Sequence, residues 1–221
     1  MRSLISVSGR PVLLPFYHTV SNQRLPHIAN LYTLRNTRLF IQDLDFLCRH
    51  YQPVSAGELY EIVSGQTPGS KPVFHLTFDD GLKEIYTIVA PILEQKGIPA
   101  TVFLNSDFVD NAGLFFRYKV SLILEKLKTT QDRAALESIT ACFGNPNLQK
   151  AQLKRQLLAL SYHDQAPIDH VASILQLDFD DYLKQEQPYL TSAQIKDLQH
   201  RGFAFGSHSI DHPLFKSIPL E

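Results

Sequence analysis

Two stretches of the sequence carry side chains that could do chemistry. In the first, HLTFDDG at residues 75–81, an apolar run ends in the adjacent carboxylates Asp79 and Asp80, followed by a glycine. In the second, GSHSIDHP at residues 206–213, His208 and His212 are four residues apart. One carboxylate oxygen and two imidazole nitrogens make a zinc-like set of three ligands that leaves a position open for water. The other carboxylate could then accept a proton from that water.

Each stretch taken alone also has an ordinary structural interpretation. Asp79, Asp80 and Gly81 are common residues of a solvated turn, and a chain with nine histidines easily contains a chance pair four residues apart. A metal site explains more, because a cation offsets the repulsion between two neighbouring acids. A single helical turn would place both imidazoles on one side, and Pro213 would stop that turn at once.

The elements that position these stretches alternate between strand and helix in the first hundred residues. Three segments have strand patterns: 11–17, 72–78 and 99–104. Two have apolar residues at helical spacing: 40–51 and 85–93, the second with a kink expected at Pro91. Ser55 and Glu58 predict a capping box at the start of a short helix that ends near Gly65. This alternation predicts a parallel α/β sheet or barrel.

The second half of the chain begins with a different pattern. Residues 113–187 show helical spacing almost throughout, so we expect a helical insertion whose aromatic and leucine stripes face a core. Thr191 and Gln194 then predict a capped helix that ends at Gly202, and the strand FAFG leads into His208. The predicted domains are the N-terminal part of the barrel with the first motif at 1–112, the insertion at 113–187, and the return to the barrel with the second motif at 188–221.

Composition narrows the possible functions. The 221 residues are 44% hydrophobic and can bury a sizeable core. A formal net charge of −1 gives no electrostatic footprint for nucleic acid or for an anionic membrane. The sequence contains no membrane-length apolar run and no signal-peptide pattern, so a cytoplasmic location is expected. Cys48 and Cys142 lack metal-like spacing and are predicted to be buried thiols.

The two chemical stretches together resemble a known family. TFDDG at 77–81, followed later by HSIDHP at 208–213, is similar to the first two motifs of the polysaccharide deacetylases, the carbohydrate esterase group with the NodB homology domain. The flanks PVLLPFYHTV, PATVFLNS and YLTSAQIKDLQHRGFAFGSHS resemble that family as well. The resemblance covers residues 11–108 and 188–216. It implies a distorted (β/α) barrel that is incomplete at the C-terminus and carries a helical insertion.

This resemblance implies a function and a role for six residues. The implied reaction is metal-dependent hydrolysis of an N- or O-linked acetyl group on a carbohydrate, with the metal and a backbone N–H steadying the oxyanion. A divalent cation, usually Zn²⁺, is the implied cofactor. The implied metal ligands are Asp80, His208 and His212, the general base is Asp79, and the supporting side chains are Thr77 and Ser209.

The sequence departs from the family pattern in one respect. The family normally continues beyond the second motif with an arginine-containing segment and a Leu-x-His histidine that acts as general acid, whereas this chain stops at Glu221. We therefore expect either the N-terminal part of a longer enzyme or a whole enzyme with an unusual general acid. The Leu-x-His pattern at 198–200 precedes the metal histidines and is rejected as the acid. His18 follows the first strand and could line the site, where it would be another candidate for the general acid, or it could be a hydrogen-bonded histidine at a strand end. His75 is expected to be buried and hydrogen-bonded.

Two other functions stay open at this point. The chain could be a metal-binding or carbohydrate-binding protein that has kept the ligands and lost turnover. It could also be a structural module in which the histidine pair is incidental. Metal content distinguishes the structural module from the other two, and acetate release distinguishes an enzyme from a binding protein.

Overall fold

The structure is a computed structural model that describes residues 12–66, 71–145 and 148–214. Predictions that concern Pro11 or residues after 214 lie outside the described residues. The chain divides into two compact units. The first comprises Met1–Asn22, Leu34–Asp110 and Pro188–Ile210, and the second comprises Gln23–Thr33, Asn111–Gln187 and Asp211–Glu221. The domain boundaries expected at 112 and 187 stay a prediction.

The strands of the described residues all lie in the first unit. They are β1 Val12–Leu13, β2 Phe16–Tyr17, β3 Gln52–Pro53, β4 Val73–Phe74, β5 Leu76–Phe78, β6 Ala100–Leu104 and β7 Ala204–Ser207. They form a three-stranded sheet in the order β1-β4-β3 and a four-stranded sheet in the order β2-β5-β6-β7. Every pairing between these strands is parallel. The mixed α/β class predicted from the sequence is therefore confirmed.

Two strands predicted as continuous are each broken in two. Segment 11–17 is interrupted before Phe16, and segment 72–78 is interrupted at His75, so that the halves join different sheets. Pro15 lies at the first break and has no N–H to donate to a strand ladder. Backbone hydrogen bonds still span both breaks, from the His75 N–H to the Leu13 carbonyl and from the Thr77 N–H to the Pro15 carbonyl, each 3.1 Å long.

Helices connect the strands and fill the middle of the chain. They are α1 Thr37–His50, α2 Ala56–Val63, α3 Ala90–Lys96, α4 Phe116–Thr129, α5 Arg133–Cys142, α6 Lys150–Ala159, α7 Gln165–Ile174, α8 Phe179–Glu186 and α9 Ser192–His200. The capping boxes predicted from Ser55 with Glu58 and from Thr191 with Gln194 are both present. These boxes fix where α2 and α9 begin.

The helix expected at 85–93 differs from its prediction. A π-helical turn occupies Ile85–Val89, and the Ala90 N–H donates to the Ile85 carbonyl, five residues back. Helix α3 then runs from Ala90 with Pro91 in its first turn, where the absence of a proline N–H breaks no intrahelical bond. The irregularity expected as a proline kink is therefore a π-turn before the proline. Gly97, in a left-handed conformation, ends α3.

The core of the first unit lies on one face of β4 and β5. Phe74, Leu76 and Phe78 are fully buried there, as expected for alternate residues along a strand. Phe40 of α1 packs in the same cluster, and the Tyr17 ring lies 5.2 Å from the Phe40 ring between centroids. These contacts hold the strand that ends at the two acids.

His75 points to the opposite side of the same strand and is satisfied there. Its Nδ1 donates to the Val54 carbonyl at 2.8 Å, and its Nε2 lies 2.9 Å from the Thr101 hydroxyl. Only 4% of the residue is exposed. The prediction of a buried and hydrogen-bonded imidazole is confirmed.

The second unit is helical in its described part, as the pattern of 113–187 predicts. Its aromatic and leucine stripes face inward, since Tyr118, Leu157 and Ile168 are almost completely buried. Asn30 is tied to α4 through hydrogen bonds to Ser121 and Glu125. None of the described helices is both long and apolar enough to cross a bilayer.

The prediction for the two cysteines is wrong in one respect. Cys48 and Cys142 are free thiols, but both are exposed instead of buried. On α1 the buried positions are Phe40, Leu44 and Leu47, and Cys48 falls outside this stripe. Cys142 is the last residue of α5, where its thiol donates to the Ser138 carbonyl at 3.2 Å.

Candidate active site

The four-stranded sheet brings several polar residues to one edge. Because its strands are parallel, their carboxyl ends all meet at the same side of the sheet. The residues that follow these ends are His18 after β2, Asp79 after β5, Asn105 after β6 and His208 after β7. The carboxyl edge of a parallel sheet is the usual place for a ligand site in α/β proteins.

A tight turn follows Asp79 at this edge. The Asp79 N–H donates to the Tyr17 carbonyl at 2.9 Å, which extends the pairing of β2 and β5 by one residue. Asp80 and Gly81 then adopt left-handed conformations, with φ of 69° and 64°. Positive φ is unusual for a residue other than glycine and often marks a functional position. The turn that Asp79, Asp80 and Gly81 indicate in the sequence is therefore present, with left-handed backbone at both Asp80 and Gly81.

Gly81 cannot be replaced without displacing a neighbour. A Cβ added to Gly81 would lie 2.5 Å from the Cδ2 atom of Leu104, at the end of β6. The Gly81 carbonyl accepts a hydrogen bond of 2.9 Å from the Leu190 N–H, and the Lys83 N–H donates to the Pro188 carbonyl at 2.9 Å. These bonds fix the turn that carries both acids.

The loop that carries the histidines begins where β7 ends. The His208 N–H donates to the Leu104 carbonyl at 2.7 Å, and the Asp107 N–H donates to the Ile210 carbonyl at 3.1 Å. The expected helical turn is absent. Residues 208–212 form an irregular bend, and Ser209 and His212 have φ of 70° and 65°. Two left-handed residues, instead of helical periodicity, set the direction of the loop.

The bend and the acidic turn bring three possible metal ligands together. One carboxylate oxygen of Asp80 and one ring nitrogen each of His208 and His212 lie within 4.8 Å of one another. The Nε2 atom of His208 is 3.7 Å from the Oδ1 atom of Asp80. Ligand atoms bound to a common zinc ion at about 2 Å are at most about 4 Å apart. This donor set therefore fits a zinc-like cation after a small contraction.

Burial differs among the three side chains. Asp80 is only 4% exposed, whereas His208 and His212 are half-buried. Burying a carboxylate is costly unless positive charge or hydrogen bonds stabilise it, so the position of Asp80 favours a bound cation. The ring of Phe115 packs against the His212 ring with 4.5 Å between centroids and restricts its orientation.

Sequence comparison decides the family. The sequence model of the polysaccharide deacetylase family matches residues 66–221, which is more than half of the chain. The chain belongs to the polysaccharide deacetylase family. No curated protein matches the chain.

Several solved structures are similar to this family member. IcaB from Ammonifex degensii is 17% identical over 91% of this chain and 86% of its own, with a TM-score of 0.41. The Streptococcus pyogenes deacetylase PplD, solved in complex with acetate, is 21% identical over 74% of this chain and 80% of its own, with a TM-score of 0.40. A de-N-acetylase from Aggregatibacter actinomycetemcomitans is 23% identical over 45% of this chain, with a TM-score of 0.38. The match spans 39% of that last protein.

Three further residues that the sequence of this deacetylase family member indicates as part of the site lie in β5 or directly after β2 and β5. Thr77 is half-buried in the middle of β5, paired with Phe16 on one side and Thr101 on the other. Asp79 is half-buried at the end of that strand. His18 is half-buried, and its ring lies 5.9 Å from the exposed ring of Phe16. Their catalytic and supporting roles stay predictions.

Ser209 and two residues that the sequence did not indicate, Asn105 and Glu84, also lie at this edge of the sheet. The Asn105 amide donates to the Ser209 hydroxyl at 3.4 Å and to the His208 carbonyl. A polar residue directly after a strand was the signal that could have identified Asn105. Glu84, four residues after Asp80, is 4% exposed and accepts from the Thr19 hydroxyl at 3.5 Å. Burial raises the pKa of Glu84 above its ordinary value.

Proposed function

We propose that this member of the polysaccharide deacetylase family removes acetyl groups, N-linked or O-linked, from a carbohydrate with the help of a divalent cation. The observation that supports this proposal most strongly is that a carboxylate oxygen of Asp80 and ring nitrogens of His208 and His212 lie within 4.8 Å of one another. One carboxylate and two imidazoles suit Zn²⁺ and leave coordination positions open. Both cysteines lie outside this ligand set.

The two adjacent acids divide the work in this proposal. Asp80, the buried one, contributes negative charge to the cation site. Asp79 accepts a proton from the attacking water as general base. The bound cation would supply a Lewis acid that polarises the acetyl carbonyl and acidifies water at neutral pH. The Asp79 backbone is fixed by its hydrogen bond to the Tyr17 carbonyl, which limits where its carboxylate can reach.

Other residues at the edge orient these groups and the substrate. Thr77 precedes the acids along β5 and supports their turn, and Ser209 supports the histidine loop through its contact with Asn105. His18 follows β2, the strand that pairs with β5, and we assign it to the lining of the site. An acetylated sugar approaching the carboxyl edge of the sheet would meet these side chains first.

The test is acetate release from an N-acetylated glucosamine oligomer and from an O-acetyl ester. Metal-loaded wild type should release acetate from at least one of them, a chelator should abolish the release, and added Zn²⁺ should restore it. Asp80→Ala should be inactive under all conditions. Asp181→Ala is the matched control, because Asp181 also belongs to an adjacent acidic pair but lies exposed on α8.

Two results would reject parts of this proposal. Acetate release that is unchanged by the chelator or by Asp80→Ala would exclude catalysis at this metal set. Zinc binding without acetate release from either substrate would indicate a protein that keeps the ligands and has no turnover.

A further inference from the structure

Besides backbone hydrogen bonds, a buried side chain, Asn105, ties the histidine loop to the end of β6. We propose that Asn105 is a positioning residue of the metal centre, which fixes the backbone of His208 and Ser209 so that the His208 imidazole faces Asp80. This inference rests on the proposed function, because it assumes that Asp80 and His208 share a cation. It adds a residue to the site that lies outside both sequence motifs.

The hydrogen bonds of the Asn105 amide are directed to this loop. Its Nδ2 atom donates to the His208 carbonyl and, at 3.4 Å, to the Ser209 hydroxyl. The orientation of the amide is not ambiguous, because a carbonyl oxygen can only accept, so the NH₂ group must face His208. The Oδ1 atom of Asn105 has no hydrogen-bond partner in the described part of the chain. Within the described residues, the side-chain amide of Asn105 therefore makes hydrogen bonds to the histidine loop and to no other segment.

Burial makes these bonds rigid. Asn105 is 1% exposed, so water cannot readily replace its hydrogen bonds. A buried polar group that loses its hydrogen-bond partner is destabilising. If the Asn105 amide is removed, the His208 carbonyl loses that buried donor. The loop would then relax toward solvent to recover a hydrogen bond.

The loop needs such a constraint because its backbone is unfavourable. Ser209 has a φ of 70°, and a left-handed conformation is unfavourable for a residue other than glycine. Two backbone hydrogen bonds flank this residue, from His208 to the Leu104 carbonyl and from Asp107 to the Ile210 carbonyl. Neither bond contacts Ser209 itself. The Asn105 amide spans the gap between them and holds the strained residue in place.

A ligand held by its backbone should bind a metal more tightly than one that must be ordered first. Groups that orient metal ligands typically contribute 10- to 100-fold to metal affinity. We therefore expect the loss of the Asn105 amide to weaken Zn²⁺ binding by about tenfold or more, even though Asn105 is not a ligand.

The experiment compares two variants with a matched control. Asn105→Ala removes the amide, and Asn105→Leu removes it while nearly keeping its volume. Asn30→Ala is the control, because the Asn30 amide also donates to other side chains, Ser121 and Glu125, but lies in the second unit. Zn²⁺ affinity is measured by competition with a chromophoric chelator. Thermal unfolding of the metal-free proteins and the absorption spectrum of the Co²⁺-loaded proteins are recorded in parallel.

The expected result is a weaker Zn²⁺ affinity and an altered Co²⁺ spectrum in both Asn105 variants, with wild-type values in Asn30→Ala. Wild-type affinity in the Asn105 variants would overturn the inference, as would an equal loss in Asn30→Ala, since that loss would follow from general destabilisation. Failure of both Asn105 variants to fold would assign the residue a purely structural role and overturn it as well. Absence of Zn²⁺ binding by wild type would reject the proposed function itself, before any variant is compared.

Discussion

Asp79 and Asp80 are neighbours in sequence, but the structure gives them different surroundings. Asp79 is half-buried and continues the strand pairing through its N–H, whereas Asp80 is 4% exposed and has a φ of 69°. Only Asp80 is brought within ligand distance of the two histidines. Adjacent residues on a strand normally point to opposite faces, so the left-handed turn at Asp80 would let both acids serve one site, as we propose.

This difference predicts different defects in the two variants. Asp80→Ala should lower Zn²⁺ affinity strongly, because a ligand is lost. Asp79→Asn should keep the metal and lower the rate of acetate release by about 10²- to 10⁴-fold, the usual contribution of a general base. Metal affinity and turnover are measured on the same preparations. Release of the metal by Asp79→Asn as readily as by Asp80→Ala would show that the two roles are exchanged.

Glu84 allows a prediction about pH. Burial raises its pKa above the ordinary value of 4.5, so the folded protein binds this proton more tightly than the unfolded chain does. The contribution of Glu84 to stability therefore falls as the pH rises from about 4.5 through the raised pKa. Glu84→Gln keeps the acceptor for Thr19 and removes the titration. Relative to wild type, the variant should gain stability between pH 4 and pH 8 in urea denaturation. If the difference in unfolding free energy between the two proteins stayed constant across that range, it would contradict a pKa of Glu84 that is raised by burial.

For single residues, the sequence indicated which side chains could do chemistry, but in most cases it did not indicate how deeply a side chain is buried. Residue type and spacing indicated the acids and the histidines as candidate site residues, and strand phase predicted that His75 is buried. Glu84 could not, because nothing in its neighbours' types shows that it would be almost completely buried. Asn105 was marked only by its place directly after a strand, which does not show that its side chain would be buried. Cys48 was misplaced for the same reason, since a thiol next to a buried stripe looks apolar in sequence.

The strands and helices were predicted more reliably than their interruptions. Hydrophobic alternation and capping boxes identified β5, β6, α2 and α9 correctly. The division of segments 11–17 and 72–78 between two sheets was not predicted, because strand propensity does not specify the partner of a strand. The π-turn before α3 was not predicted either, because the sequence indicated only a simple kink at the proline.

Strand β7 offers a test of how an element positions the site. Gly206 pairs with Phe103, and a Cβ on Gly206 would lie 2.6 Å from the Cε1 atom of that ring. Gly206→Ala should therefore destabilise the protein by about 1–3 kcal/mol through overpacking, and it should weaken metal binding because β7 leads directly into His208. Both effects are measured, by urea denaturation and by Zn²⁺ titration.

Gly57→Ala is the control for this variant. Gly57 lies in α2, and an added Cβ would have no neighbour within 4 Å. Alanine is favoured over glycine within helices by about 1 kcal/mol, so this variant should be as stable as wild type or more stable, with unchanged metal affinity. Equal destabilisation by the two substitutions would contradict the close approach of β7 to Phe103.

For the molecule as a whole, metal binding should be linked to stability. A ligand that binds only the folded state stabilises it by about 2.7 kcal/mol when its concentration is 100 times Kd. Wild type should therefore unfold at a higher temperature with saturating Zn²⁺ than with a chelator, whereas Asp80→Ala should show no shift. A shift of equal size in Asp80→Ala would place the stabilising ion elsewhere on the chain.

The most direct measurement is the zinc content and coordination of the reconstituted wild type. Elemental analysis after dialysis should give about one zinc per chain, and X-ray absorption should show oxygen and nitrogen ligands without sulfur, as expected for one carboxylate, two imidazoles and solvent. A protein that retains no zinc, or a spectrum that requires a thiolate from Cys48 or Cys142, would contradict a metal centre formed by Asp80, His208 and His212.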